Sequence, residues 1–80
     1  TSNDIQNEVS ISPTPTNNKF KIIKPRNLTI DSLVIYNVSG QNVASRKYSK
    51  YIDVRDFSPG QYFIKFFSDK GLIFKHLLIK

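Results

Sequence analysis

The sequence predicts an all-β fold, an immunoglobulin-like antiparallel β-sandwich of about seven strands, and three observations carry that expectation. Short β-branched and aromatic runs recur at intervals of roughly 8–12 residues. No stretch shows the 3.6-residue apolar stripe of an amphipathic helix. Turn-forming residues stand between the runs, and without helices long enough for crossovers the strands must pair antiparallel.

Residues 1–18 open the chain with Ser-Pro and Thr-Pro steps, four Asn and few large apolar groups, so they read as a linker. Within it, residues 9–11 offer a short first strand, ending before Pro13 and Pro15, which lack the N–H of a central strand. Residues 19–80 read as the domain proper. Its expected strands are 20–24, 33–38, 41–44, 51–54, 62–67 and 72–79, the last two joined by the turn Ser68-Asp69-Lys70-Gly71.

Alternation assigns the faces. Tyr62, Ile64 and Phe66 point to the core, with Leu33, Ile35, Ile52, Val54, Phe20 and Ile22 as partners, while Val34, Tyr36, Phe63 and Phe67 cover the outer side. The outer set is more apolar than a free monomer ordinarily carries. Ser58-Pro59-Gly60-Gln61 fits a type II turn, with Gly60 supplying the positive φ.

Eighty residues, with six Phe and four Tyr, suit a single small core. With no Cys and one His, neither a disulfide nor a zinc framework is available, and the expectation is no metal and no cofactor. The six carboxylates lack calcium-loop spacing, and Asp53 with Asp56 reads as support for the turn before Phe57. No catalytic pair stands out and His76 has no partner for nucleophile or metal chemistry, so no enzyme is expected. The net charge of +6 is spread along the chain and reads chiefly as a solvated sheet face, which argues against nucleic acid. No signal peptide or membrane-spanning helix is encoded, and with no Met the chain reads as the tail of a larger protein.

Four blocks then carry a resemblance. Ser12-Pro13-Thr14-Pro15-Thr16-Asn17-Asn18-Lys19-Phe20 resembles a "P-N-P-x-x-G-x-F" opening, with Thr14 for the first Asn and Asn18 for the Gly, whose left-handed conformation Asn can adopt. Leu33-Val34-Ile35-Tyr36-Asn37-Val38-Ser39-Gly40-Gln41-Asn42-Val43 is similar to "v-x-I-Y-N-x-x-G-Q-x-V". Ile52-Asp53-Val54 through Phe57 to Gly60-Gln61-Tyr62-Phe63-Ile64-Lys65 resembles "I-D-x-x-x-L-x-x-G-x-Y-F-x-K", and residues 74–80 resemble a basic, aliphatic ending. These blocks are those of the C-terminal sorting domains, type A, of the type IX (Por) secretion system of Bacteroidota.

The resemblance implies a secretion signal that directs a larger N-terminal cargo across the outer membrane. It further implies transit through the periplasm, recognition by translocon components, and cleavage by a sortase-like protease or use in cell-surface attachment. The motif positions are Pro13, Pro15, Asn18, Tyr36, Asn37, Gly40, Gln41, Gly60, Tyr62, Lys65, Lys75 and Lys80. For Gly40, Gly60, Tyr36 and Tyr62 a purely structural role competes with direct recognition; Lys75 and Lys80 are expected to project into solvent, where a receptor contact is an even alternative. Asp31-Ser32-Leu33 resembles a short O-glycosylation sequon at Ser32. The rival reading is an adhesive or carbohydrate-binding β-sandwich appended to a secreted enzyme, using Tyr48 and Tyr51.

Overall fold

The computed structural model describes residues 8–12 and 18–80; Pro13 and Pro15 lie outside them. Seven strands follow in order: β1 (Ser10–Ser12), β2 (Lys19–Ile23), β3 (Ile30–Asn37), β4 (Asn42–Lys47), β5 (Tyr51–Asp53), β6 (Gly60–Ser68) and β7 (Gly71–Ile79). They form a three-stranded sheet, β1-β2-β5, and a four-stranded sheet, β4-β3-β6-β7, antiparallel throughout. This is the immunoglobulin-like sandwich the strand pattern predicts, with the chain crossing between sheets at β2–β3, β4–β5 and β5–β6.

Alternation sorts the side chains as expected. Phe20, Ile22, Leu33, Ile35, Ile52, Val54, Tyr62, Ile64 and Phe66 are all buried between the sheets. Val9, Ile11, Leu28, Ile30, Ile73, Leu77 and Ile79 complete the core. Each fully buried aliphatic or phenyl group contributes on the order of 1.5–3 kcal/mol of transfer free energy, so interdigitation holds the fold without covalent staples. Ile30 joins the core through a register shift: Ile30 pairs with Ser68 and Ser32 with Phe67, leaving Asp31 as the extra residue of a bulge. Without that insertion, Ile30 and Leu33 could not both face inward.

Strand directions gather the loops at two ends. The segment before β2, the β3–β4 turn, the β5–β6 loop and the end of β7 share one end, because β3 and β7 finish where β4 and β6 begin. Val54 N–H donates to the Asn18 carbonyl over 2.8 Å and ties the two sheet-edge loops together there. The opposite end is closed by Asp69, whose N–H donates to the Thr29 carbonyl at 3.0 Å while its Oδ1 accepts from Thr29 N–H at 3.1 Å.

Candidate functional site

The β3–β4 turn is built by Asn37. Gly40 N–H donates to the Asn37 carbonyl (2.9 Å), Asn37 N–H donates to the Gln41 carbonyl (3.0 Å), and Gly40 takes φ +85°. That is the pattern of a three-residue hairpin loop, in which a turn is followed by a left-handed residue that glycine occupies without strain. Asn37 Oδ1 also accepts from the N–H groups of Ser39 and Gln41, both at 3.0 Å, and its Nδ2 donates to Gln41 Oε1 at 3.2 Å. Asn37, Gly40 and Gln41 therefore form one hydrogen-bonded unit, which explains their spacing.

The β5–β6 loop at the same end holds Gly60 and Tyr62. The Tyr62 ring is buried and its hydroxyl donates to the Ser58 carbonyl at 2.6 Å, the tyrosine corner of immunoglobulin-like sandwiches. Phe57 packs edge-on against it, with ring centroids 5.5 Å apart. The type II turn is not what forms here. Gly60 has φ +150°, well away from the roughly +80° such a turn needs, and already pairs with Ile79 as the first residue of β6. The positive φ is present, but in a region that side chains rarely enter.

Asn18, at the head of β2, accepts from Val54 N–H through its carbonyl. Asp53 accepts from Arg55 N–H at 2.9 Å and pairs with its guanidinium at 2.8 Å. The Arg55 hydrogen bonds hold the Asp53 carboxyl below its ordinary value and raise the Arg55 guanidinium.

The outer face of the four-stranded sheet carries a cluster of exposed apolar side chains. Cross-strand pairing lines up Tyr36, Phe63 and His76 in one row, Val34, Lys65 and Phe74 in the next, and Ser32, Phe67 and Leu72 in a third. Phe63, Leu72 and Phe74 are 44%, 45% and 56% exposed. Lys65 lays its ammonium over Tyr36 at 5.4 Å and over Phe67 at 5.3 Å, and Phe63 tilts against His76 at 5.3 Å. His76 Nε2 lies 3.1 Å from Gln61 Oε1.

A shallow groove of about 480 Å³ opens where this face meets the Asn37 turn, lined by Tyr36, Asn37, Val38, Gly40, Phe63, Phe74, Lys75 and His76. The fold thus brings motif residues Tyr36, Asn37 and Gly40 together with Lys75, about 35 positions away in sequence. Phe63, His76 and Phe74 join them, although Phe74 and His76 attract no attention as sites in a linear reading. The β7 register that could have found them is the alternation running from Ile73 through Leu77.

That register corrects Lys75. It pairs with Ile64, on the core-facing side of β7 between Ile73 and Leu77, and is half-buried rather than projecting into solvent. Lys80 is exposed and follows Ile79, opposite Gly60. Ser32 is half-buried in mid-strand between Lys47 and Phe67. Tyr48, before β5, and Tyr51, the first residue of β5, each lie under an ammonium, from Lys24 at 5.5 Å and from Lys19 at 5.0 Å respectively.

The fold defines a small seven-stranded β-sandwich, in which the motif residues shape one end and one sheet face. Residues 10–80 match the family model described as the secretion system C-terminal sorting domain, and the chain belongs to that family. It is a C-terminal sorting signal for type IX secretion, of a family that is not catalytic, and it implies an N-terminal cargo, contact with the secretion machinery, and export to the cell surface or medium. No curated protein and no solved structure matches the chain.

Proposed function

We propose that the secretion machinery reads this domain in its folded form, at the groove between the Asn37 turn and the Phe63–Phe74 face. The cargo passes through the periplasm joined to the N-terminal side of the domain, and is then released from it or attached to the cell surface by a sortase-like protease. One observation carries the proposal: residues from three separated blocks, Tyr36 to Gly40, Phe63, and Phe74 to His76, line a single groove. Core packing does not call for exposed Phe63 and Phe74 on that face, whereas a docked partner would bury them.

The sorting motif then has two physical parts. Asn37, Gly40, Gln41, Gly60 and Tyr62 set the shape of the end, through the hydrogen bonds and backbone angles described above. Tyr36 and Lys65, with Phe63 and Phe74, supply contact area and positive charge on the outer face, and Lys75 lines the same groove. The test is a reporter fused to residues 1–80 carrying Phe63→Ser and Phe74→Ser. Both side chains point away from the core, so the melting curve should stay within about 0.5 kcal/mol of the parent. Export should fall at least tenfold; export at the parental level would remove the groove from the recognition site.

A further inference from the structure

The two outer faces of the sandwich differ in character. Against the aromatic face of the four-stranded sheet stands the outer face of β1-β2-β5, where alternation projects Lys19, Lys21 and Ile23 from β2 and Tyr51 and Asp53 from β5. A second groove of about 340 Å³ opens beside it, with Lys21, Lys24, Arg26 and Lys50 in its lining and no carboxylate there among the described residues. Among the described residues the neighbouring acids are Asp53, engaged by Arg55, Glu8, two residues before β1, and Asp31, whose carbonyl accepts from Tyr48 N–H at 3.1 Å. Lys24 has a structural role, its ammonium donating to the Leu28 carbonyl at 2.8 Å and lying over Tyr48, but Lys21, Arg26 and Lys50 add charge around the same groove, and four cations so placed repel each other. Among them stand two exposed apolar groups, Ile23 at 45% and Tyr51 at 48%.

We infer that this face docks on an anionic membrane surface through its lysines and Arg26, with Ile23 and Tyr51 entering the headgroup layer. Long cationic side chains on apolar stems, set around one aliphatic and one tyrosyl group on a shallow sheet face, match what an interface of anionic headgroups over hydrocarbon offers. A nucleic acid or soluble polyanion would use the charge but not Ile23. Binding by this face leaves the aromatic face on the other sheet turned away from the membrane and open to a protein partner.

The experiment is co-sedimentation of the 80-residue chain with vesicles of phosphatidylcholine alone and of phosphatidylcholine containing about one-third phosphatidylglycerol. The chain should partition onto the anionic vesicles only, and added salt should weaken it. Lys21→Gln, Arg26→Gln and Lys50→Gln should each lower the partition coefficient about fivefold, at the weight expected of one basic residue near a charged surface. Ile23→Ser with Tyr51→Ser should lower the binding that persists at high salt, and Lys70→Gln, the same charge change on the β6–β7 turn, should leave it unaltered. Equal binding to both vesicle types would overturn the inference, as would an unaffected triple Gln variant that keeps its melting curve. Binding to dextran sulfate without binding to anionic vesicles would overturn it too. None of these results depends on export, so they stand apart from the test of the Phe63–Phe74 groove.

Discussion

The Tyr62 hydroxyl donates a 2.6 Å hydrogen bond to the carbonyl of Ser58, so the ring at the start of β6 fastens the loop that precedes it. Tyr62 is buried but Ser58 is exposed, so deleting only the hydroxyl opens no cavity and removes one partly buried hydrogen bond to the loop. Tyr62→Phe is expected to cost about 1 kcal/mol. Thermal unfolding followed by circular dichroism should place the midpoint several degrees lower, and an unchanged midpoint would mean that the carbonyl is satisfied by water.

Asn37→Ala removes the acceptor that holds both Ser39 and Gln41 N–H groups and the donor to Gln41 Oε1. These groups are exposed and can turn to water, so the expected loss is about 1 kcal/mol, not several. Faster amide exchange at Ser39 and Gln41, with the β6 and β7 amides unaffected, would locate the damage in the turn. Uniformly faster exchange would instead show that the turn is coupled to the core.

Gly60 isolates conformational strain from packing. A Cβ built there meets nothing within 4 Å, yet the backbone sits at φ +150°. Gly60→Val should therefore destabilise by about 1–3 kcal/mol through backbone strain alone. Equal stability of the Val variant and the parent in urea would show that the start of β6 relaxes freely to negative φ.

How much of this was legible in the sequence depends on the range of the interaction. Period-two alternation is local, and it placed Tyr62, Ile64 and Phe66 inward and Phe63 and Phe67 outward. Lys75 was misread because Phe74-Lys75-His76 looks like any wet edge until the register is counted from Ile73 and Leu77. Leu28 and Ile30 went unremarked as core residues, since the Asp31 bulge that turns Ile30 inward breaks the period. The pairing of β5 with β2, and the meeting of Tyr36 with Phe74 in one groove, depend on long-range closure that no local pattern records. Asn37, Gly40 and Gln41 stood out by resemblance, but their mutual hydrogen bonds explain the spacing only once the turn is seen.

Asp53 and Arg55 give a pH dependence of known sign. Hydrogen bonds from Arg55 lower the Asp53 carboxyl below its ordinary value of 3.8, so the pair's stabilisation is complete above that value and is lost as pH falls through the lower folded value. Both groups are exposed, 69% for Arg55 and 55% for Asp53, so the contribution is small. Asp53→Asn keeps the acceptor for Arg55 N–H while removing the charge. Melting points of parent and variant should differ slightly at neutral pH and converge on acidification below the ordinary carboxylate value; a gap that widens in acid would reverse the assigned sign.

The central claim is that this sandwich is a sorting signal, and the measurement that meets it most directly is transport of a passenger. A periplasmic reporter joined to the N-terminal side of residues 1–80 would be expressed in a type IX-competent bacterium and in its translocon-null counterpart, and quantified in periplasm, on the cell surface and in the medium. The reporter should reach the surface or medium in the competent strain and accumulate in the periplasm of the null strain. Equal delivery outside the cell by both strains, or retention in the periplasm of both while the domain is folded, would contradict the account.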